Sequence, residues 1–202
     1  MTTMGAMLDP RAAALIFDID GTLIDTMPLH FVAWMEASRK HGFPFDERTF
    51  LAMAGMPAVK IIETICSNHG LSLQVPSVAA DKEAGFVRLI GQCKPIPEVV
   101  DIVHRCHGRL PMALGTGGTR EVDWKSITAA GLRPFFDILV SSEDVQHHKP
   151  APDTFLLCAT RMGVEPHLCQ VFEDGELGLQ AARAAGMIPC DIRPHLASTA
   201  AG

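Results

Sequence analysis

The longest apolar stretches of this 202-residue chain are only strand-sized. A membrane-spanning helix needs roughly 20 consecutive apolar residues, so no span is expected. Clustered cations are also missing. Lys and Arg number 17 against 23 Asp and Glu, giving a formal net charge of −6, and no basic run occurs. Nucleic-acid backbones demand clustered positive charge, so a nucleic-acid binder is excluded. The six cysteines, at 66, 93, 106, 158, 169 and 190, have no CxxC spacing. They read as reduced core thiols of a cytoplasmic protein rather than a zinc site or disulfide framework. Neither internal repeats nor low-complexity segments occur. Residues 1–9 lack a basic region and a long apolar region, which predicts a disordered tail rather than a signal peptide.

What is present supports one full domain, or one with a modest insert. Hydrophobic residues make up 48% of the chain, enough for a sizeable core. Residues 12–17 form an apolar run of the kind a strand buried on both faces requires. Asp18 and Asp20 stand at its C-terminal end. Two carboxylates buried close together are costly, because each resists the ionisation of the other. A neutralising cation is therefore expected beside them. Turn chemistry accounts for Asp20-Gly21 but leaves Asp18 unexplained.

After this strand the chain reads as helical up to about residue 93. Pro28 opens a helix whose apolar stripe is Phe31, Trp34 and Met35, ending near His41-Gly42. Asp46 caps a short helix reaching Ala54-Gly55. Ala58, Ile61, Ile62 and Ile65 mark a third, and a fourth spans residues 78–90. Beyond the stiff Lys94-Pro95-Ile96-Pro97 connector, strands are expected at 110–114, 136–140 and 169–172. An edge strand interrupted by Pro189 follows at 187–192. Helices at about 99–106, 120–130, 153–162 and 177–185 alternate with them. Such alternation implies α/β architecture, a doubly wound parallel sheet with the helical block inserted after its first strand. In open α/β sheets the site lies at the C-terminal strand ends, and the insertion leaves from that end.

Three further stations follow strands. Thr116-Gly117-Gly118 offers a hydroxyl and free amides before a helix, a phosphate cradle; a plain Gly-rich turn is the alternative. Lys149 precedes a Pro-initiated helix, where a solvated lysine is the ordinary reading. Glu173-Asp174 ends another apolar strand and resembles the other half of a cation site. His147 and His148 are adjacent, and adjacent side chains point apart, which argues against a shared metal.

Taken together, Asp18-Ile19-Asp20-Gly21-Thr22-Leu23 with Asp25, Thr116, Lys149 and Glu173-Asp174 resemble, in order, the motifs of the haloacid dehalogenase-like superfamily. Within it the chain is similar to the β-phosphoglucomutase-like subfamily. Residues 147–164, with Cys106-His107-Gly108-Arg109-Leu110-Pro111-Met112, look most like the bacterial fructose-1-phosphatase/6-phosphogluconate phosphatase branch. The resemblance implies a Rossmann-like core of residues 1–27 and 94–202 and an all-helical cap of residues 28–93. It implies Asp18 as nucleophile and Asp20 as acid/base. Mg2+ would be held by Asp18, the Asp20 carbonyl, Asp174 and Glu173, and phosphate by Thr116, Gly117 and Lys149. In the cap, His30 and Lys82 fall where β-phosphoglucomutases contact sugar phosphate. The mutase arginine falls at Ala58, with Lys60 as a loose substitute. Gly118 and Gly175 depart from the family pattern: Gly118 should add backbone freedom without new chemistry, and Gly175 should weaken the metal site somewhat.

A mutase must grip a second phosphate, preferably with an arginine fork, so the expected reaction is hydrolysis of a small sugar phosphate. The presence of Asp20 argues against dehalogenation, which needs no leaving-group protonation. The alternatives are a β-phosphoglucomutase-like isomerase and a non-catalytic phosphometabolite- or partner-binding protein. The expected partner is a small phosphorylated sugar, with no nucleic acid and no membrane, and the chain is expected to be monomeric.

Overall fold

A computed structural model of the protein describes residues 7–196. Strand β1 (Ala14–Phe17) is followed by a two-residue strand β2 (Ile24–Asp25) and four helices. These are α1 (Met27–His41), α2 (Glu47–Ala52), α3 (Ala58–His69) and α4 (Val75–Leu89). Next come β3 (Lys94–Pro95), α5 (Pro97–Cys106), β4 (Met112–Gly115), α6 (Arg120–Ala129), β5 (Ile138–Val140) and α7 (Asp153–Met162). Strand β6 (Cys169–Glu173), α8 (Glu176–Ala184) and β7 (Ile188–Asp191) follow, with a 3-10 turn at Arg193–His195 after them.

The main sheet has five strands in the order β5-β4-β1-β6-β7, and every pairing is parallel. Strand β1 is central, so both faces must be apolar. Its side chains alternate accordingly. Leu15 and Phe17 join one cluster with Val99, Ile102 and Val103 of α5 and Ile127 of α6. Ala14 and Ile16 join the opposite cluster with Phe155 and Cys158 of α7 and Ala181 and Ala182 of α8. Helices therefore cover both faces. Phe17 stacks on Phe172 of β6 at 4.8 Å between ring centroids, fixing the strand ends from which the acids emerge. Helices α1 to α4 build a third cluster of their own around Trp34, Phe50, Ile62, Ile65 and Val78.

Several boundaries differ from the sequence expectation. Helix α4 begins at Val75 rather than 78, because Pro76 sits in its first turn, where no amide donor is needed. Strand β4 begins at Met112 rather than 110, since the amides of Arg109 and Leu110 both donate to the Cys106 carbonyl and close a turn. Strand β5 begins at Ile138 because residues 133–135 form a 3-10 turn. The Lys94-Pro97 connector is not free: its first two residues form β3, which pairs antiparallel with β2, Ile24 opposite Pro95 and Asp25 opposite Lys94.

The predicted N-terminal tail needs correction where it is described. Residues 1–6 lie outside the described part, but Met7 is 3% exposed and packs on the core. The buried Gln170 amide on β6 explains this. Its Nε2 donates to the Met7 carbonyl, and its Oε1 accepts from the Asp9 amide at 2.9 Å. All six cysteines are free thiols. Among the described residues no helix is long and apolar enough to cross a membrane.

Candidate active site

Loops at the C-terminal ends of β1, β4, β5 and β6 converge on one cleft beneath α1–α4. Its empty volume is about 790 Å³, open solvent at the mouth included. Asp18 continues β1, held by its amide donating to the Phe172 carbonyl at 3.1 Å. The chain then turns sharply at Gly21, whose φ of +83° suits glycine. A side chain at Gly21 would also collide with the Asp174 carboxylate.

Lys149, from the loop before α7, is buried between two acids. Its Nζ donates to Asp18 Oδ1 and to Glu173 Oε1, both at 2.6 Å. Glu173 is held further by the Gly175 amide, which donates to its Oε2 at 2.9 Å. Asp174 Oδ1 accepts from the Thr22 hydroxyl at 2.8 Å. One oxygen each from Asp18, Glu173 and Asp174 lies within 4.8 Å of the others.

Burial pushes the Asp18 carboxyl well above the usual carboxylate range against the pull of Lys149, and Glu173 and Asp174 add repulsion. The Asp174 carboxyl is pushed up to about 7, by burial first and then by Glu173. Lys149 resists the opposite effect of burial because Asp18 and Glu173 hold its charge. A single ammonium is thus set against three clustered carboxylates. Their donors are hard oxygens only, which fits a divalent cation of the magnesium class.

On the opposite wall, Thr116 follows β4, its hydroxyl accepting from the Gly118 amide at 3.0 Å. The Gly55 carbonyl, in the loop between α2 and α3, occupies the place a Gly117 side chain would need. The helical block therefore rests directly on this loop. Gly118 does more than loosen the backbone, contrary to the sequence expectation. A Cβ there would stand 2.5 Å from Asp123 Oδ1, so the glycine makes room for a buried carboxyl of α6.

Asp20 faces away from Lys149 and toward the helices. Its Oδ1 accepts from the Thr26 hydroxyl at 2.6 Å. His30 Nε2 lies 3.2 Å from the same oxygen, without the alignment of a hydrogen bond. Lys82 Nζ donates to His30 Nδ1 at 3.0 Å, which leaves the His30 ring proton on the nitrogen facing Asp20. The ring stacks on Phe86 at 3.7 Å. Burial alone would raise the Asp20 carboxyl, but His30 and Thr26 outweigh it and bring it down to about 2.

Residues 12–186 match the profile of haloacid dehalogenase-like hydrolases. The chain belongs to that family. It is 46% identical over 184 residues to the fructose-1-phosphate phosphatase YqaB of Escherichia coli, covering 91% of this chain and 97% of that protein. A phosphorylated carbohydrates phosphatase of Thermotoga maritima is 29% identical over 86% of this chain and 82% of its own length. Among solved structures, a Pseudomonas syringae hydrolase superposes with a TM-score of 0.81 at 25% identity, covering 88% of this chain and 83% of that one. A Clostridium difficile β-phosphoglucomutase superposes at 0.80 with 22% identity, over 88% and 83%, and so shares the fold.

The structure of this hydrolase brings together Asp18, Asp20, Thr116, Gly117, Glu173, Asp174, His30 and Lys82 at the cleft, with Lys149 behind Asp18. Lys60 is not brought there. It is exposed on α3, and its Nζ donates to Glu63 at 2.8 Å. Ala58, by contrast, lines the cleft. The Gly175 backbone amide donates to Glu173 Oε2 at 2.9 Å.

Thr26, Asp123 and Gly178 escaped the sequence reading. Thr26 and Asp123 carry common residue types at helix starts, and nothing local marks them. Gly178 lies inside α8, where glycine is unfavourable, and that was the available signal. A Cβ at Gly178 would coincide with the Glu173 carboxylate. In Gly178→Ala the better helix propensity, about 1 kcal/mol, offsets much of the roughly 1–3 kcal/mol of overpacking. The melting temperature should therefore move little. Displacing Glu173 from Lys149 should still cut phosphate release about tenfold or more, and steady-state kinetics with magnesium checks this. A wild-type rate would show that Glu173 need not sit where Gly178 allows it.

Proposed function

We propose that this chain, a phosphoric monoester hydrolase, is a magnesium-dependent phosphatase acting on a small sugar phosphate through an aspartyl-phosphate. The observation that carries the reading is the division of labour between two neighbouring aspartates. Asp18 is clasped by Lys149 beside Glu173 and Asp174, whereas Asp20 turns to Thr26 and the helical side of the cleft. The first suits a nucleophile pointed at phosphorus, the second an acid/base reaching the leaving group.

In this mechanism an Asp18 oxygen attacks phosphorus in line, and the bond from phosphorus to the sugar oxygen breaks. Asp20 delivers a proton to the departing oxygen. The resting Asp20 is ionised, and the phosphate dianion arriving beside it favours the protonated form. Water then attacks the aspartyl-phosphate while Asp20 takes its proton back, releasing phosphate and free Asp18. Thr116, the Gly117 amide and Lys149 hold the phosphoryl oxygens. Asp18, Asp174, Glu173 and the Asp20 carbonyl would hold Mg2+, whose contribution is to screen the charges of nucleophile and phosphate. Residues 28–93 act as a cap that excludes bulk water, with His30 and Lys82 facing the sugar.

Hydrolysis is favoured over a mutase reaction because no arginine lines the cleft among the described residues and Ala58 stands on its wall. A second phosphate has no fork to grip it. The identity to the Escherichia coli enzyme supports fructose 1-phosphate among the candidates. Phosphate release should be measured from fructose 1-phosphate, 6-phosphogluconate and β-glucose 1-phosphate, with magnesium and with a chelator. Magnesium-dependent release from either of the first two is expected. Conversion of β-glucose 1-phosphate to glucose 6-phosphate, dependent on glucose 1,6-bisphosphate and without net release, would overturn the phosphatase reading.

A further inference from the structure

Asp123 has no part in the mechanism above, yet it lines the same cleft. It sits in the first turn of α6, where acids are ordinary because the helix dipole favours them. Ordinary acids of that kind face water, and this one is 2% exposed. Its Oδ2 has no hydrogen-bond partner. A buried polar atom in that state costs stability and calls for a reason.

The surroundings make the cost larger. After burial itself, Asp20, Asp18 and Glu83 push the Asp123 carboxyl well above the usual carboxylate range, and a hydrogen bond with Thr116 opposes them only in part. A second phosphate or another anion would add repulsion. A neutral hydroxyl both donates and accepts, so it satisfies the group whether the carboxyl is ionised or protonated. The group is reached past Gly118, the position where any side chain would press on both Asp123 oxygens, at 2.5 and 2.7 Å from Cβ. Gly118 and Asp123 thus form one device, a gap in the phosphate loop with a carboxyl behind it. Asp20, the first of the charges acting on Asp123, is the group that meets the leaving oxygen.

We propose that Asp123 is a specificity residue that hydrogen-bonds a hydroxyl of the leaving group through the gap at Gly118, selecting uncharged polyhydroxylated leaving groups. The proposal rests on the phosphatase reading. Magnesium-dependent hydrolysis of p-nitrophenyl phosphate by the wild-type protein tests that reading separately, since this leaving group has no hydroxyl to offer.

The test compares Asp123→Ala and Asp123→Asn with wild type on fructose 1-phosphate and on p-nitrophenyl phosphate. For Asp123→Ala, kcat/KM on fructose 1-phosphate should fall about 10- to 100-fold, while the aryl ester stays within about twofold. Both variants should melt above wild type, because an unsatisfied buried carboxylate is gone. Equal losses on both substrates would overturn the proposal, placing Asp123 behind Thr116 as a support of the phosphate loop. Unchanged kinetics on both would also overturn it, because Asp123 would then not touch the leaving group. Lower melting temperatures with equal losses would mark a structural residue and end the proposal.

Discussion

Asp18→Asn should lower phosphate release by about 10⁴-fold or more while the protein stays folded. Asparagine keeps the shape of the side chain and can still accept from Lys149 Nζ, which stands 2.6 Å from Asp18 Oδ1. What it lacks is the nucleophilic oxygen charge. The carboxyl of Asp18 is pushed up by burial and by Glu173 and Asp174, so the neutral amide removes repulsion from the folded state. The melting temperature without magnesium should hold or rise. Phosphate release and thermal unfolding on one preparation check both halves. Appreciable turnover by a preparation free of wild-type enzyme would remove Asp18 as nucleophile. By comparison, losing a general acid/base at Asp20 should cost about 10²–10⁴-fold.

The second large effect is expected for Lys149→Met, and it falls on stability as well as rate. The lysine side chain is 1% exposed and pairs with Asp18 and Glu173, themselves 9% and 3% exposed. Removing one partner of a buried ion pair costs about 3–5 kcal/mol, because the remaining charge is left unpaired. Asp18 relieves part of that by taking up a proton, so the loss must depend on pH. Losing the ammonium removes the one pull that lowers the Asp18 carboxyl, so its folded pKa rises further while that of the unfolded chain does not. The folded variant then holds a proton the unfolded chain has released, and its stability falls as pH rises above the ordinary carboxylate range. Denaturant unfolding in the presence of chelator should show a larger difference from wild type at pH 8 than at pH 5.5. A difference independent of pH would mean that the carboxylates are relieved some other way, by water or rearrangement. Catalysis should be lost at either pH, since phosphate loses its cation.

Much of this site was legible because its signals are local. An apolar run ending in acids is costly wherever the strand packs, so β1 and β6 announced Asp18, Asp20, Glu173 and Asp174 without knowledge of their neighbours. Helix ends were equally local: Gly42 and Gly163 are left-handed C-caps where the sequence pattern ends a helix, and Asp46 caps α2 by accepting from the Thr49 amide. Long-range partners left no such mark. The pairing of Ile24 with Pro95 puts a proline, a residue type that disfavours strands, in a two-residue strand. Gln170 gave no hint that it would hold Met7, and a glycine inside α8 signalled a close approach without saying that Glu173 makes it. Lys60 looked available in sequence, but its position on α3 directs it to Glu63 and solvent.

By itself, then, the sequence determined the α/β order, the inserted helical block and the set of acids at strand ends, because periodicity and the cost of burying charge act over a few residues. Only the tertiary structure decided that Lys149 clasps Glu173 as well as Asp18, that Asp20 turns to His30 and Thr26, and that Asp123 stands behind Gly118. Those relations depend on side chains far apart in the chain competing for the same few ångströms, and no local rule encodes that competition.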